Sequence, residues 1–321
     1  MKEILQKYLI IFKKLRIDRS HGIAPHKPIL LLSILQAYKQ KLYTTNRVYI
    51  TPDLVAIFKS TWSLLVTTPH DCRISYPFYH LKSDKFWTLV PKLGYENIDS
   101  MSSSAKSFNN LNTAIEYALI ESDLFQLIKD EYSNNLLTQF LLDEYFFQNR
   151  KNYSSVINSE NKIFHTIENK ILNEPAEDYR KEIKNLVLQK NEEEIFLRGG
   201  VFKREIPKIY NNTCCISGMR IDSILNISMI DACHIIPFGE SYDDTVTNGI
   251  ALCPNLHRAF DRGIISIDDK YKVIVSSVFK EENVKYSIKE FQSKKIILPT
   301  QKEYHPLLDN FIWHRKNVFK S

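Results

Sequence analysis

The chain has 321 residues, with 43 Lys and Arg against 37 Asp and Glu, nine His and five Cys. That length suits two domains, and 44% hydrophobic with 25% charged residues is an ordinary globular composition, which excludes a disordered chain, a collagen-like repeat and a disulfide scaffold. Charge is uneven: residues 1–100 hold 15 basic and 7 acidic side chains, exceeding the whole-chain excess of +6, so that region suits either an anionic partner or a solvated Lys-rich surface.

In chain order, residues 3–17 space their apolar side chains as an amphipathic helix with Lys on the other face. The opening MKEILQKYLIIFKKLRI carries charge at both ends of a short apolar stretch and has no small-residue cleavage site, so no signal peptide is expected. No apolar run approaches the ~20 residues of a spanning helix, so no membrane partner is expected either. After a polar stretch from Asp18 to Gly22, APHKPILLLSILQAYKQ predicts a largely buried helix with Pro28 in its first turn. Thr51-Pro52 predicts a cap and first position for a helix to about Leu65. YPFYHL and KFWTLV, separated by Lys82-Ser83-Asp84, predict an aromatic β-hairpin. Ser122 is expected to cap another helix, and 133–147 to form one more. Composition turns polar from Gln148 to Ser159, and 160–195 reads as a charged helical connector. The odd cysteine count suits a reducing cytoplasm.

The C-terminal part holds the most informative pattern. IDACHIIPF is followed by TNGIALCPNLHRAFDRG and then by two apolar-alternating segments, IISID and YKVIVSS. The order predicted is an extended segment ending in His234, a loop, Asn248, a short helix carrying His257 and Asp261, and a closing hairpin. His234, Asn248 and His257 are separated by 13 and 8 residues. In order, spacing and flanking text this resembles the ββα-metal fold of HNH endonucleases over roughly residues 190–320. The resemblance implies phosphodiester hydrolysis with Mg²⁺ or Mn²⁺. His234 is the general base expected from a side chain that titrates near neutrality. His257 and Asp261, i and i+4 on one helix face, can reach one ion, and Asn248 is implied to brace the loop behind His234. Arg258 and Arg262 are expected as phosphate contacts or as structural ion pairs.

Two departures from that family's pattern stand out. Where many relatives hold a structural zinc between two C-x-x-C pairs, this chain reads Cys214-Cys215-Ile216-Ser217 and Cys253-Pro254-Asn255-Leu256. Each pair lacks its second thiol, so no structural zinc is expected and Cys214 and Cys253 are expected as core thiols. Cys233 stands where many relatives place an Asp or His metal ligand, and a thiolate is a poor ligand for hard Mg²⁺. The ion is therefore expected to rest on His257, Asp261, water and the DNA phosphate, with Cys233 or Asp231 as a further candidate.

In the N-terminal part, Arg19, His26 and Lys27 surround the start of the apolar helix, and Tyr76-Pro77-Phe78-Tyr79-His80 and Phe86-Trp87 follow. A-P-H-K-P and Y-P-F in this order, over about residues 10–95, resemble the sulfur-binding domain of type IV restriction endonucleases that recognise phosphorothioate-modified DNA. The resemblance implies a sulfur cavity lined by Tyr76, Pro77 and His80, with Arg19, His26 and Lys27 meeting the phosphate charge. Sulfur in place of oxygen keeps the charge but is larger and poorly hydrated, so an apolar wall costs less to press against it. Phe78 and Trp87 are expected as packing.

The whole is read as an α+β protein: a mixed helix/hairpin DNA-recognition domain at 1–150, a helical connector at 151–195 and an HNH ββα-metal nuclease domain at 196–321. The partner expected is double-stranded DNA, backbone-modified, and cutting both strands with one site per chain suggests a homodimer. A modified base, an unmodified sequence, or binding without cutting are the alternative readings.

Overall fold

The computed structural model describes residues 2–18, 23–96, 107–221, 228–282 and 286–321. Arg19 lies outside them. The chain divides into two compact units, Met1–Phe164 and His165–Ser321.

In the first unit, α1 (Lys2–Lys13) buries Tyr8 and Phe12 and stops short of the expected residue 17. The helix α2 (His26–Lys39) is buried along all of 27–38 and packs against α3 (Pro52–Leu65). The expected start of α3 is present in full: Thr51 Oγ1 accepts from Leu54 N at 3.2 Å, with Pro52 at the first position. The predicted hairpin is not there. YPFYHL falls in a short helix, α4 (Ser75–His80), continued by a 3-10 turn at Leu81–Asp84. Pro77 explains this, since it cannot donate to a strand ladder but suits the first turn of a helix. Phe78 and Leu81, three apart, then both reach the core. Trp87 seals the turn, its indole N–H donating to Phe78 O at 2.9 Å with the two rings 5.1 Å apart edge to face.

The strand that KFWTLV does form pairs elsewhere. β1 (Arg47–Val48), β2 (Trp87–Pro91) and β3 (Ile115–Ile120) make an antiparallel sheet with β3 in the middle, so that Trp87 faces Ile120 and Leu89 faces Ala118. Around it lie α5 (Phe108–Ala114), α6 (Ser122–Lys129) and α7 (Glu131–Tyr145), and α8 (Val156–Asn173) carries the boundary between the units. Ser122 is the first residue of α6 and not its cap, while α7 is capped by Asp130, whose carboxylate accepts from Ser133 N at 2.9 Å.

In the second unit, α9 (Ala176–Leu188) is followed by α10 (Glu192–Ile209), which lies on the antiparallel ladder of β4 (Asp231–His234) and β5 (Gly249–Leu252). A Cβ at Gly249 would stand 2.3 Å from Ile206 and 2.9 Å from Phe202, so only glycine lets the helix come this close. After the one-turn α11 (Phe238–Ser241) come α12 (Pro254–Asp261), the hairpin of β6 (Ile265–Ile267) with β7 (Val273–Val275), and α13 (Leu308–Asn317). This order of extended segment, loop, helix and closing hairpin is the one the spacing predicted. Among the described residues no helix is long and apolar enough to cross a membrane.

Candidate functional site

β4 ends at His234, opposite Gly249 across the ladder. Its ring lies flat on Phe202 of α10, centroids 3.9 Å apart and planes 9° apart. Nε2 sits 2.9 Å from Asp244 Oδ1. Asp244 is 1% exposed, and its other oxygen has no hydrogen-bond partner among the described residues. A carboxylate there holds Nε2 as the protonated nitrogen and leaves Nδ1 as the acceptor. Nothing in the sequence marks Asp244, because an Asp-Asp pair in a polar loop reads as solvated. Its neighbour Asp243 is equally buried and paired with Arg180, at 2.8 Å and 3.0 Å.

Asn248 is wholly buried. Its Nδ2 donates to Ile236 O at 2.9 Å and Asp243 O at 3.0 Å, and its Oδ1 accepts from Ile236 N at 3.0 Å and Asn310 Nδ2 at 3.2 Å. One side chain thus ties both ends of the loop between His234 and β5.

Cys253 and Pro254 start α12, and the helix buries Leu256, Ala259 and Phe260. His257 and Asp261 are left on the face turned to β4. There His257 Nδ1 lies 3.2 Å from Asp231 Oδ2, its Nε2 lies 3.5 Å from Asp261 Oδ2, and Cys233 Sγ lies 3.8 Å from Asp261 Oδ1. Strand alternation accounts for the pairing, since Asp231 and Cys233 are two apart on β4 and share a face. Ligand atoms of Cys233, His257 and Asp261 all lie within 4.8 Å of one another, a donor set able to hold a divalent metal. Burial, followed by the charge of Asp261, holds the Cys233 thiol well above its ordinary value. A cavity of about 370 Å³ brings Lys203, His234, Phe238, His257 and Asp261 together. Lys203, exposed on α10, is a cation that the charged helical text around it hides. Arg258 and Arg262 are exposed outside that lining and make no ion pair among the described residues.

Cys214 and Cys253 are buried side by side and share a hydrogen bond, which pulls the Cys214 thiol down and pushes the Cys253 thiol up. Ser217 N donates to Cys214 Sγ at 3.5 Å.

In the first unit a second cavity, about 290 Å³, gathers Arg16, His26, Lys27, Tyr76, Pro77 and His80. Five of these are residues singled out from the sequence, but the electrostatics differ from those expected. Lys27 Nζ lies 2.5 Å from Asp84 Oδ2 and 3.0 Å from Ser83 Oγ, with both charged side chains under a tenth exposed. Within the protein its charge is met by Asp84. His26 Nε2 contacts Asp71 O at 2.9 Å and its ring packs on Trp62. Burial pushes His26 down, and burial followed by the cations Lys27 and Lys82 pushes His80 down, so both favour the neutral form. Pro77 is buried and Tyr76 half-buried, its hydroxyl accepting from Arg73 Nη1 at 3.3 Å. Arg16 is the exposed cation of the lining.

Residues 214–268 match the family model described as HNH endonuclease. The second unit therefore contains an HNH endonuclease domain, a class of phosphodiester-hydrolysing enzymes, and this domain holds His234, Asn248, His257 and Asp261. No curated protein matches the chain. Among solved structures the chain is similar to a "Modification dependent TagI restriction endonuclease", at 22% identity and TM-score 0.27, over 36% of this chain and 37% of that one. The likeness spans little more than a third of that protein and is too slight to argue from.

Proposed function

We propose that the chain is a restriction-type DNA endonuclease in which the HNH domain cuts and the first unit reads a backbone modification, a phosphorothioate. The observation that carries the cutting half is the cavity lined together by His234, His257 and Asp261, with Cys233 buried beside the last two, inside the segment that matches the HNH family. His234 takes a proton from the attacking water through Nδ1, while Asp244 holds the other nitrogen and stabilises the cation that forms. Phe202 fixes the ring plane, and Asn248 fixes the loop that delivers Asp244. His257 and Asp261 would hold a divalent cation, with Asp231 steadying the far nitrogen of His257. When bound, the ion supplies Lewis acidity at the scissile phosphate and stabilises the leaving oxygen. Lys203, Arg258 and Arg262 are available to phosphates on either side.

The reading half is supported by the first cavity. A lining of Tyr76, Pro77 and two neutral imidazoles, with Lys27 already paired, is less charged than the sequence suggests. Such a lining suits a poorly hydrated sulfur better than a hydrated oxygen, and Arg16 remains to meet the phosphate charge. Cleavage of a phosphorothioate-bearing plasmid with divalent ions, compared between the native chain and His234→Ala, tests the cutting half: the variant should still bind and should lose the ~10²–10⁴-fold that a general base contributes. That modified plasmid left intact by the native chain under every divalent ion would favour a DNA-binding sensor instead.

A further inference from the structure

We infer that Cys233, His257 and Asp261 form a thiophilic metal site, one that takes Zn²⁺ or Co²⁺ through the Cys233 sulfur in preference to Mg²⁺; this rests on reading the second-unit cavity as the nuclease's metal centre. The donor set is one sulfur, one imidazole nitrogen and one carboxylate. Mg²⁺ demands oxygen ligands in a near-ideal octahedron, and this group offers it a single carboxylate. Sulfur with imidazole is the combination that selects zinc-like ions.

The three donors are already gathered. Cys233 Sγ lies 3.8 Å from one oxygen of Asp261 and His257 Nε2 lies 3.5 Å from the other, and one ligand atom from each residue lies within 4.8 Å of the other two. That is close enough for one ion to draw in sulfur, nitrogen and a carboxylate oxygen at bonds of about 2.0–2.3 Å. Three protein donors leave a fourth position open, the pattern of catalytic rather than structural zinc. The far nitrogen of His257 already faces a carboxylate, Asp231, at 3.2 Å. That arrangement presents Nε2 as the ligand nitrogen and raises its basicity. On binding, the Cys233 thiol proton passes to solvent and the sulfur binds as thiolate.

Titration of the metal-free full chain with Co²⁺, followed by absorption, tests this directly. The expected spectrum has a thiolate-to-cobalt charge-transfer band in the near ultraviolet and the intense visible bands of a tetrahedral ion. The band should vanish in Cys233→Ser, persist in Cys214→Ser, and be displaced by Zn²⁺ but not by Mg²⁺. Zn²⁺ affinity should fall in Asp231→Asn by the roughly 10–100-fold that an outer partner contributes, and by more than that in Cys233→Ser. Cys233→Asp, checked for folding by circular dichroism, should move the preference toward Mg²⁺ and Mn²⁺. Co²⁺ bound with a spectrum that Cys233→Ser leaves unchanged would overturn the thiophilic site and leave the metal centre standing. Failure to bind Co²⁺, or binding that His257→Ala and Asp261→Ala both leave unchanged, would overturn the metal centre as well.

Discussion

His234 and Lys27 each face a buried carboxylate, and the two pairs serve different ends. Asp244 keeps one oxygen without a partner and the other on an imidazole, an arrangement that stabilises the imidazolium only when His234 takes up a proton. Asp244→Asn should therefore lower kcat by roughly 10²-fold, the lower end of what a general base contributes, with KM unchanged. Nitrogen NMR should find His234 protonated on Nε2 in the native chain and mixed in Asp244→Ala; native kcat in Asp244→Asn would remove the residue from the account. Lys27 and Asp84 instead close a fully formed ion pair. Removing one partner leaves a buried charge, so Lys27→Ala should cost about 3–5 kcal/mol in urea unfolding, and the double variant Lys27→Met/Asp84→Leu should recover most of it. His314 adds a pH dependence. Burial pushes it down to about 4, opposed by the bond of Nε2 to Phe260 O at 3.1 Å; the ring stacks on Phe260 with centroids 3.7 Å apart. The unfolded chain binds the extra proton first, so this stability is whole above about pH 6.5 and is lost as pH falls toward 4, on the order of 3 kcal/mol in all. Urea unfolding at pH 7 and pH 4.5, with a His314→Gln variant that flattens the difference, measures it.

At the scale of elements, local chemistry was legible where one residue decides the outcome. Thr51-Pro52 marks the start of α3 to the residue. The residues around His234 and His257 anticipate a strand end and a helix face, and the resemblance to HNH endonucleases implies the loop brace at Asn248. What was not legible is non-local. KFWTLV reads as a strand, but its partner IEYALI lies far along the chain, and adjacency suggested YPFYHL instead. Pro77, read as a wall of a pocket, also argues against that hairpin. Asp84 and Asp244 likewise escaped notice, because a carboxylate in a polar loop shows its burial only once the fold is known. Gly249 carries the closest contact between elements in the second unit. Gly249→Ala should destabilise it by about 1–3 kcal/mol through overpacking against Ile206 and Phe202, seen as a lower urea midpoint; an unchanged midpoint would mean that α10 yields freely.

For the molecule as a whole, the proposed reading assigns chemistry to the second unit and recognition to the first, each with its own cavity. The excess of positive charge in the first hundred residues proves to be no simple basic groove, since Lys27 is paired internally and His26 and His80 favour neutrality. On the proposed reading, such a pocket serves to discriminate sulfur from oxygen more than to attract DNA. The proposed cutting half would need a base, its positioning carboxylate and a metal centre, and candidates for all three lie on β4, its following loop and α12. The most direct test of the joined account is cleavage of two end-labelled duplexes, identical in sequence, one of them carrying a single phosphorothioate. The account predicts that the native chain cuts the modified duplex and spares the other, that Tyr76→Ala loses the preference, and that His234→Ala binds the modified duplex without cutting it. Equal cutting of both duplexes would contradict the reading unit, and cutting of neither under any divalent ion would contradict the nuclease.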